Sequence, residues 1–167
     1  MNNIEIIESG YNALCDAYNN SVISLKRSSL YEDLLVHMDI PEKNRSRFTY
    51  ATLNDRDEII AICVFIVSLD EGTTDVGWFV RADFRGKGVG RDTVEKAFNE
   101  FKNGLKGAGV EAIFIGATVD NGNTPSISLG QRFIGGEEII EKEDGTTIYS
   151  YLNRFTLSLM GEGQWKE

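Results

Sequence analysis

Residues 75–91, Asp-Val-Gly-Trp-Phe-Val-Arg-Ala-Asp-Phe-Arg-Gly-Lys-Gly-Val-Gly-Arg, constrain this chain more than any other stretch. An apolar extended run enters a glycine-rich, basic turn, and an amphipathic segment follows at once. That order predicts a strand, a glycine loop and a helix N-terminus. Such a layout presents backbone N–H groups to a phosphate, so the stretch implies a phosphorylated ligand. Arg81, Arg85, Lys87 and Arg91 gather positive charge there, although the chain as a whole carries a net charge of −9.

The rest of the composition sets the class. A chain of 167 residues with 41% hydrophobic residues has enough apolar surface for a core. Its length fits one domain, expected over 1–155, followed by a loose tail over 156–167. The N-terminus lacks the basic and apolar regions of a signal peptide. The longest apolar run, 59–67, is too short for a membrane helix. A soluble, cytoplasmic protein is expected. The acidic balance argues against broad binding to nucleic acid or to an anionic membrane, and suits a basic partner or a cationic amine. Cys15 and Cys63 read as reduced, packed thiols. With His37 as the single histidine, they give no zinc spacing, and no metal is expected.

Along the chain, residues 4–8 read as a strand broken by Ser9-Gly10. Tyr11, Leu14, Tyr18, Val22 and Leu25 recur at helical spacing. Residues 30–38 suggest a shorter helix carrying His37, and 43–47 a polar loop. Residues 48–53 and 58–69 flank Asn54-Asp55-Arg56-Asp57 as a hairpin, its second arm apolar enough for a central strand covered on both faces. Residues 75–81 form the next strand. Val94, Ala97, Phe98, Phe101 and Leu105 line one helix face, closed by Gly104, Gly107 and Gly109. A strand over 111–119, a turn over 120–123, and a short helix capped by Thr124 with Pro125 at its first position come next. Two last strands, from Ile139 and from Thr146, surround Asp144-Gly145. The order β-α-α-β-β-β-α-β-α-β-β packs as a mixed α/β (α+β) sheet of about seven strands with helices on both faces.

The glycine turn discriminates among phosphate-binding patterns. A P-loop requires Gly-Lys followed by Ser or Thr, which residues 86–91 do not supply. A dinucleotide fingerprint requires a third glycine where Thr93 stands, and belongs after the first strand. Arg85, Gly88 and Gly90 satisfy Arg/Gln-x-x-Gly-x-Gly/Ala. With the strand before it and the helix after it, the chain resembles the GNAT acetyltransferase superfamily. The likeness covers 1–155 in element order and about 75–135 in residue detail. It implies coenzyme A, with the pyrophosphate held by backbone N–H groups of Gly86, Lys87, Gly88, Val89, Gly90 and Arg91. Arg85, Lys87 and Arg91 supply charge at the rim. It also implies that the backbone of Trp78, Phe79 and Val80 pairs with the pantetheine arm in a gap between two splayed strands. A backbone N–H near Val80 would then stabilise the oxyanion. Asn123 is expected to contact pantetheine; a plain turn or cap asparagine is the alternative reading.

The resemblance fails at two family positions, and one of them, the usual Gly-Phe, falls on Ile134-Gly135. The family's usual tyrosine, which protonates the leaving thiolate, falls on Gly130. The general base is unassigned: Thr74 holds the position of a glutamate found in some relatives, and strand alternation aims Asp75 at the other face. Tyr149 and Tyr151 share a strand face that reads as core or surface packing, with the border of the cleft as the alternative. Cys63, in a central strand, is a poor nucleophile. The catalytic residues are therefore unknown from the sequence. The resemblance implies acyl transfer, acetyl-CoA being the expected donor, to a primary amine by direct attack. The acceptor is a small molecule or a protein amine, with RNA less comfortable for so acidic a chain. The competing reading is a catalytically weak or inactive module that binds acyl-CoA or a partner protein. A homodimer is an open option.

Overall fold

The computed structural model describes residues 2–157. The chain runs α1 (Asn3–Asn19), β1 (Lys26–Arg27), β2 (Leu34–Glu42), β3 (Arg45–Leu53), β4 (Ile59–Ser68) and β5 (Thr73–Val80). A single 3₁₀ turn (Ala82–Phe84) leads into α2 (Val89–Gly107), β6 (Ala112–Asp120), α3 (Thr124–Phe133), β7 (Glu137–Glu141) and β8 (Thr147–Thr156). The strands make one mixed sheet in the order β1-β2-β3-β4-β5-β6-β8-β7. It holds eight strands rather than about seven: β1 and β2 were not expected as strands, and the strand expected over 4–8 is absent.

β4 is the central strand its composition predicts, buried along most of its length. Its side chains alternate between two cores. Cys63, Phe65 and Val67 join Val94, Phe98 and Phe101 of α2. Ile62 and Val64 join Ile7, Tyr11, Leu14 and Tyr18 of α1. Phe65 stacks on Phe101 with centroids 4.1 Å apart. Helices thus cover both faces, as expected.

The N-terminal third differs from the expectation. Residues 4–8 lie in α1, not in a strand. A reciprocal capping box starts that helix: the Glu5 N–H donates to Asn2 Oδ1 at 2.8 Å, and the Asn2 N–H donates to Glu5 Oε2 at 2.9 Å. Ile7, Tyr11, Leu14, Cys15 and Tyr18 form its buried stripe, and Gly10 is accommodated inside it. Val22 and Leu25 lie beyond its end. Residues 30–38 hold no helix, since from Leu34 they extend as β2. Nor are 43–47 a loop. β2 and β3 form a tight hairpin in which Glu42 faces Arg45 and Asn44 takes a left-handed φ of 66°. His37 consequently sits on β2, with β3 and β4 between it and β5. The last ten residues of the expected tail, 158–167, lie outside the described residues. Among the described residues no helix is long and apolar enough to cross a membrane.

Candidate functional site

β5 pairs with β4 along its whole length, from Ser68↔Thr73 to Ala61↔Val80. With β6 it pairs, in parallel, only at Thr73↔Phe114, Thr74↔Ile115 and Asp75↔Gly116. Both strands then continue unpaired with each other, so the sheet forks after Asp75. The ladder fixes which backbone groups line the fork. The Arg81 N–H donates to the Ile60 carbonyl at 2.9 Å, and antiparallel pairs alternate. Odd-numbered residues of β5 therefore turn their N–H and C=O to β4, and Val76, Trp78 and Val80 turn theirs to the fork. Phe79, expected to help pair with pantetheine, spends its backbone on the β4 side. On the far bank the same alternation turns Thr118 and Asp120 inward, since the Leu157 N–H donates to Glu111 at 2.6 Å and the Phe114 N–H to Gly72 at 2.9 Å.

The glycine turn stands at the open end of this fork. Gly86 and Gly88 have φ of 73° and 81°, the left-handed region that favours glycine. A Cβ on either would meet nothing within 4 Å, so the surface beside them is open. Gly90 differs: its Cβ would lie 2.9 Å from Val80 Cγ2. Close packing of α2 on β5 excludes a side chain there. Gly88 is the N-cap of α2 and offers no side-chain cap. The Asp92 N–H closes the first helical hydrogen bond on the Gly88 carbonyl at 3.1 Å. Among the described residues, the N–H groups of 86–91 make no hydrogen bond. Clustered unpaired N–H groups at the positive end of a helix dipole fit an anionic group.

The predicted cation cluster is narrower than the sequence suggested. Arg81 is committed to Asp83 at 2.7 Å and to Glu58 at 3.2 Å. Arg85 donates Nε to the Val80 carbonyl at 2.8 Å and lies over the Phe79 ring at 5.3 Å. It ties the turn to the strand end. Lys87 rests near the Phe84 ring at 5.4 Å, and Arg91 is exposed.

Within the fork lies a cavity of about 320 Å³. The first turn of α1 roofs one face. Asp120 holds that turn down, accepting from Asn3 Nδ2 at 2.9 Å and from the Ile4 N–H at 3.3 Å. Toward the other face the Trp78 indole N–H donates to Ser126 Oγ at 3.0 Å, linking β5 to α3. Asn123 lines the cavity and also caps α3, its side chain accepting from the Ser126 N–H. The cap is thus Asn123 rather than Thr124.

The candidate proton-transfer groups sort differently. Gly130 is buried against Tyr151: a Cβ there would lie 2.5 Å from the ring. Tyr151 from β8 thus fills the space into which a side chain at 130 would grow. Its hydroxyl donates to Glu137 at 2.7 Å, and burial, reinforced by that carboxylate, raises its pKa. Neither Tyr149 nor Tyr151 lines the cavity; both pack with the core instead. Thr74 is buried with its hydroxyl unpartnered on the α2 side, whereas Asp75 is exposed and does line the cavity. Burial pushes the Cys63 thiol up. Burial likewise raises Cys15 and lifts Tyr11 to about 12. Neither thiol is activated.

The comparisons agree with this architecture. The model of the acetyltransferase (GNAT) family matches residues 10–135. No match is found among curated protein sequences. Solved structures are similar at low identity. A ribosomal-protein-S5-alanine acetyltransferase from Vibrio fischeri has 16% identity and a TM-score of 0.50, over 72% of this chain and 64% of that one. A GNAT-family acetyltransferase from Bacillus anthracis has 21% identity and a TM-score of 0.47, over 66% of each chain. The ribosomal-protein-S18-alanine N-acetyltransferase from Escherichia coli has 18% identity and a TM-score of 0.45, over 75% of this chain and 77% of that one. The chain spans just under two thirds of the length of the first two. Matched by the family model over most of its own length, the chain belongs to the GNAT acetyltransferase family.

Proposed function

We propose that this protein transfers an acetyl group from acetyl-CoA to a primary amine by direct attack, without an acyl-enzyme. One observation carries the reading: a sheet fork, edged by unpaired backbone at Val76 and Trp78 and by the Val80 N–H, opens beside a glycine turn whose N–H groups are free. In this reading the amides of Gly86, Lys87, Gly88, Val89, Gly90 and Arg91 hold the pyrophosphate of coenzyme A. Lys87 and Arg91 add charge at the rim. The pantetheine arm runs along the fork edge of Trp78 and Val80 and past Asn123. In this reading the Val80 N–H, turned inward, donates to the thioester oxygen as negative charge develops on it. Bound acetyl-CoA supplies an activated acyl group. The protein contributes orientation, an apolar cavity and hydrogen-bond donors. A buried Cys63 with a raised pKa offers no competing nucleophile.

Gly88→Asp tests the site. Aspartate tolerates the left-handed backbone better than most residues, and it sets a carboxylate beside the diphosphate of this reading. Coenzyme A affinity, measured by calorimetry, is expected to fall at least about tenfold, with Gly88→Asn losing less. Unchanged affinity in a folded Gly88→Asp protein refutes the assignment.

A second reading, an acyl-CoA-binding module with little turnover, is favoured by Gly130 and the Tyr151 ring packed against it, which leave no acid at the family's tyrosine position. Thiol release on a panel of amines separates the two. Tight coenzyme A binding with no release on any amine supports the module.

A further inference from the structure

The fork cavity carries information about the acceptor. Its walls are aliphatic where α1 meets β4, with Ile4 and Ile7 facing Val64 and Ile66. The charged side chains lining it are two carboxylates, Asp75 and Asp120, and no cationic residue accompanies them. Asp120 is committed to Asn3 and Ile4. Asp75 makes no ion pair or side-chain hydrogen bond among the described residues. It stands at the vertex of the fork, on the last paired rung, directly opposite Gly116. The next residue on its face, Gly77, has no side chain to crowd it; Ile7 Cδ1 instead comes to 3.4 Å from where a Cβ would be. One free carboxylate therefore borders an apolar-walled chamber, beside two glycines over which Ile7 and Leu152 pack. A carboxylate or phosphate on an acceptor would meet two negative charges here and no positive one.

Resting on the acyltransferase reading above, we propose that the acceptor is a linear aliphatic amine bearing a second cationic group. Its methylenes lie along Ile4, Ile7, Val64 and Ile66, and its distal ammonium pairs with Asp75. Asp75 is a specificity residue in this assignment. It holds the charge that does not react.

Equilibrium binding tests this without turnover. Binding of 1,4-diaminobutane, butylamine and 4-aminobutanoate is measured by calorimetry on the coenzyme A-loaded protein and on the protein alone, at one fixed ionic strength. The diamine is expected to bind about tenfold more tightly than butylamine, and 4-aminobutanoate more weakly than either. Asp75→Asn should bring the diamine to the affinity of butylamine, with coenzyme A affinity and melting temperature unchanged. Equal affinity of diamine and monoamine in the wild type overturns the proposal, as does preference for the amino acid or a diamine preference that survives Asp75→Asn. Coenzyme A binding is read separately. Its failure sinks the acyltransferase reading, while the three amines on the protein alone still decide the acceptor class. Where turnover is seen, kcat/KM should fall for the diamine and not for butylamine. An equal fall for both would make Asp75 a general base and overturn its role as a binding residue.

Discussion

Gly88 and Gly90 look equivalent in the sequence, but the structure gives them different reasons to be glycine. At Gly90 the reason is Val80. A Cβ at 90 would lie 2.9 Å from Val80 Cγ2, well inside the ~3.5–4.0 Å of an ordinary carbon contact. Gly90→Ala gains up to about 1 kcal/mol in helix propensity. It loses about 1–3 kcal/mol to overpacking, because a β-branched valine cannot swing away. A net loss of roughly 0.5–2 kcal/mol is expected. Val80→Ala alone removes two partly buried methyl groups and costs about 1–2 kcal/mol. Together the clash disappears, so the double variant should be more stable than the sum of the singles predicts by about 1–2 kcal/mol. Urea denaturation of all four proteins measures this, read at constant slope so that only stability is compared. Coenzyme A affinity of the double variant adds a second readout. Retained affinity places the functional demand for glycine at 88, where the surface is open, and not at 90. An additive cycle, or a Gly90→Ala protein as stable as the parent, would falsify the packing argument.

Two further outcomes follow from single contacts. Gly136 has a φ of 60°, and its Cβ would lie 2.0 Å from the Leu152 carbonyl oxygen. Gly136→Ala must therefore push β7 from β8 while holding a left-handed backbone, and about 3 kcal/mol or more should be lost in chemical denaturation. Asp39 accepts from Arg47 Nε at 2.8 Å, and the guanidinium holds its carboxyl below the usual range. A depressed folded-state pKa gives stability above the ordinary carboxylate value, lost as pH falls through the folded one. Asp39→Asn should thus lower stability near neutrality by only ~0.2–1 kcal/mol, both partners being partly exposed. The difference should narrow steadily as melts are taken below the ordinary carboxylate range; a gap that stays constant as the pH falls would contradict the pairing.

The elements legible in the sequence are those whose signals are local. The strand, glycine turn and helix over 75–107 announce themselves by composition, and β4 by an unbroken apolar run. The errors fall where two periodicities overlap. Ile4 and Ile6 alternate around Glu5 like a strand, yet both are substantially exposed, and the helix is set by a capping box beginning at Asn2. Asn-x-x-Glu before an apolar stripe was a readable signal. Residues 34–38 have leucines and a methionine at helix-like spacing, but Val36 and His37 lie between them. Pairing with Phe48, Thr49 and Tyr50 then overrides propensity. The small cue there was Asn44 at a two-residue turn. Among site residues, Arg81 could not be sorted from Arg85 and Lys87 by sequence, because Glu58, one of its two acidic partners, comes from the turn that leads into β4.

The fork was the least local feature of all, and its maintenance is a question of energy as much as of pattern. Unpaired backbone in the middle of a sheet is costly unless water or another group satisfies it. Here two of the inward groups are already answered, the Val80 carbonyl by Arg85 and the Asp120 carbonyl by the Asn123 N–H at 3.2 Å. The others face the cavity. Closing the fork would gain strand hydrogen bonds worth about 0.5–1.5 kcal/mol each. Something must therefore hold the banks apart. On one face that wedge is the α1 turn, whose Ile7 occupies the space over Gly77 and whose Asn3 is tied to Asp120. On the other it is Trp78, too large to lie flat between the strands and bonded to Ser126 instead. The glycine motif supplies the anion site, but the wedge decides whether a reactive end can pass between the strands. The wedge is made of residues that no motif contains.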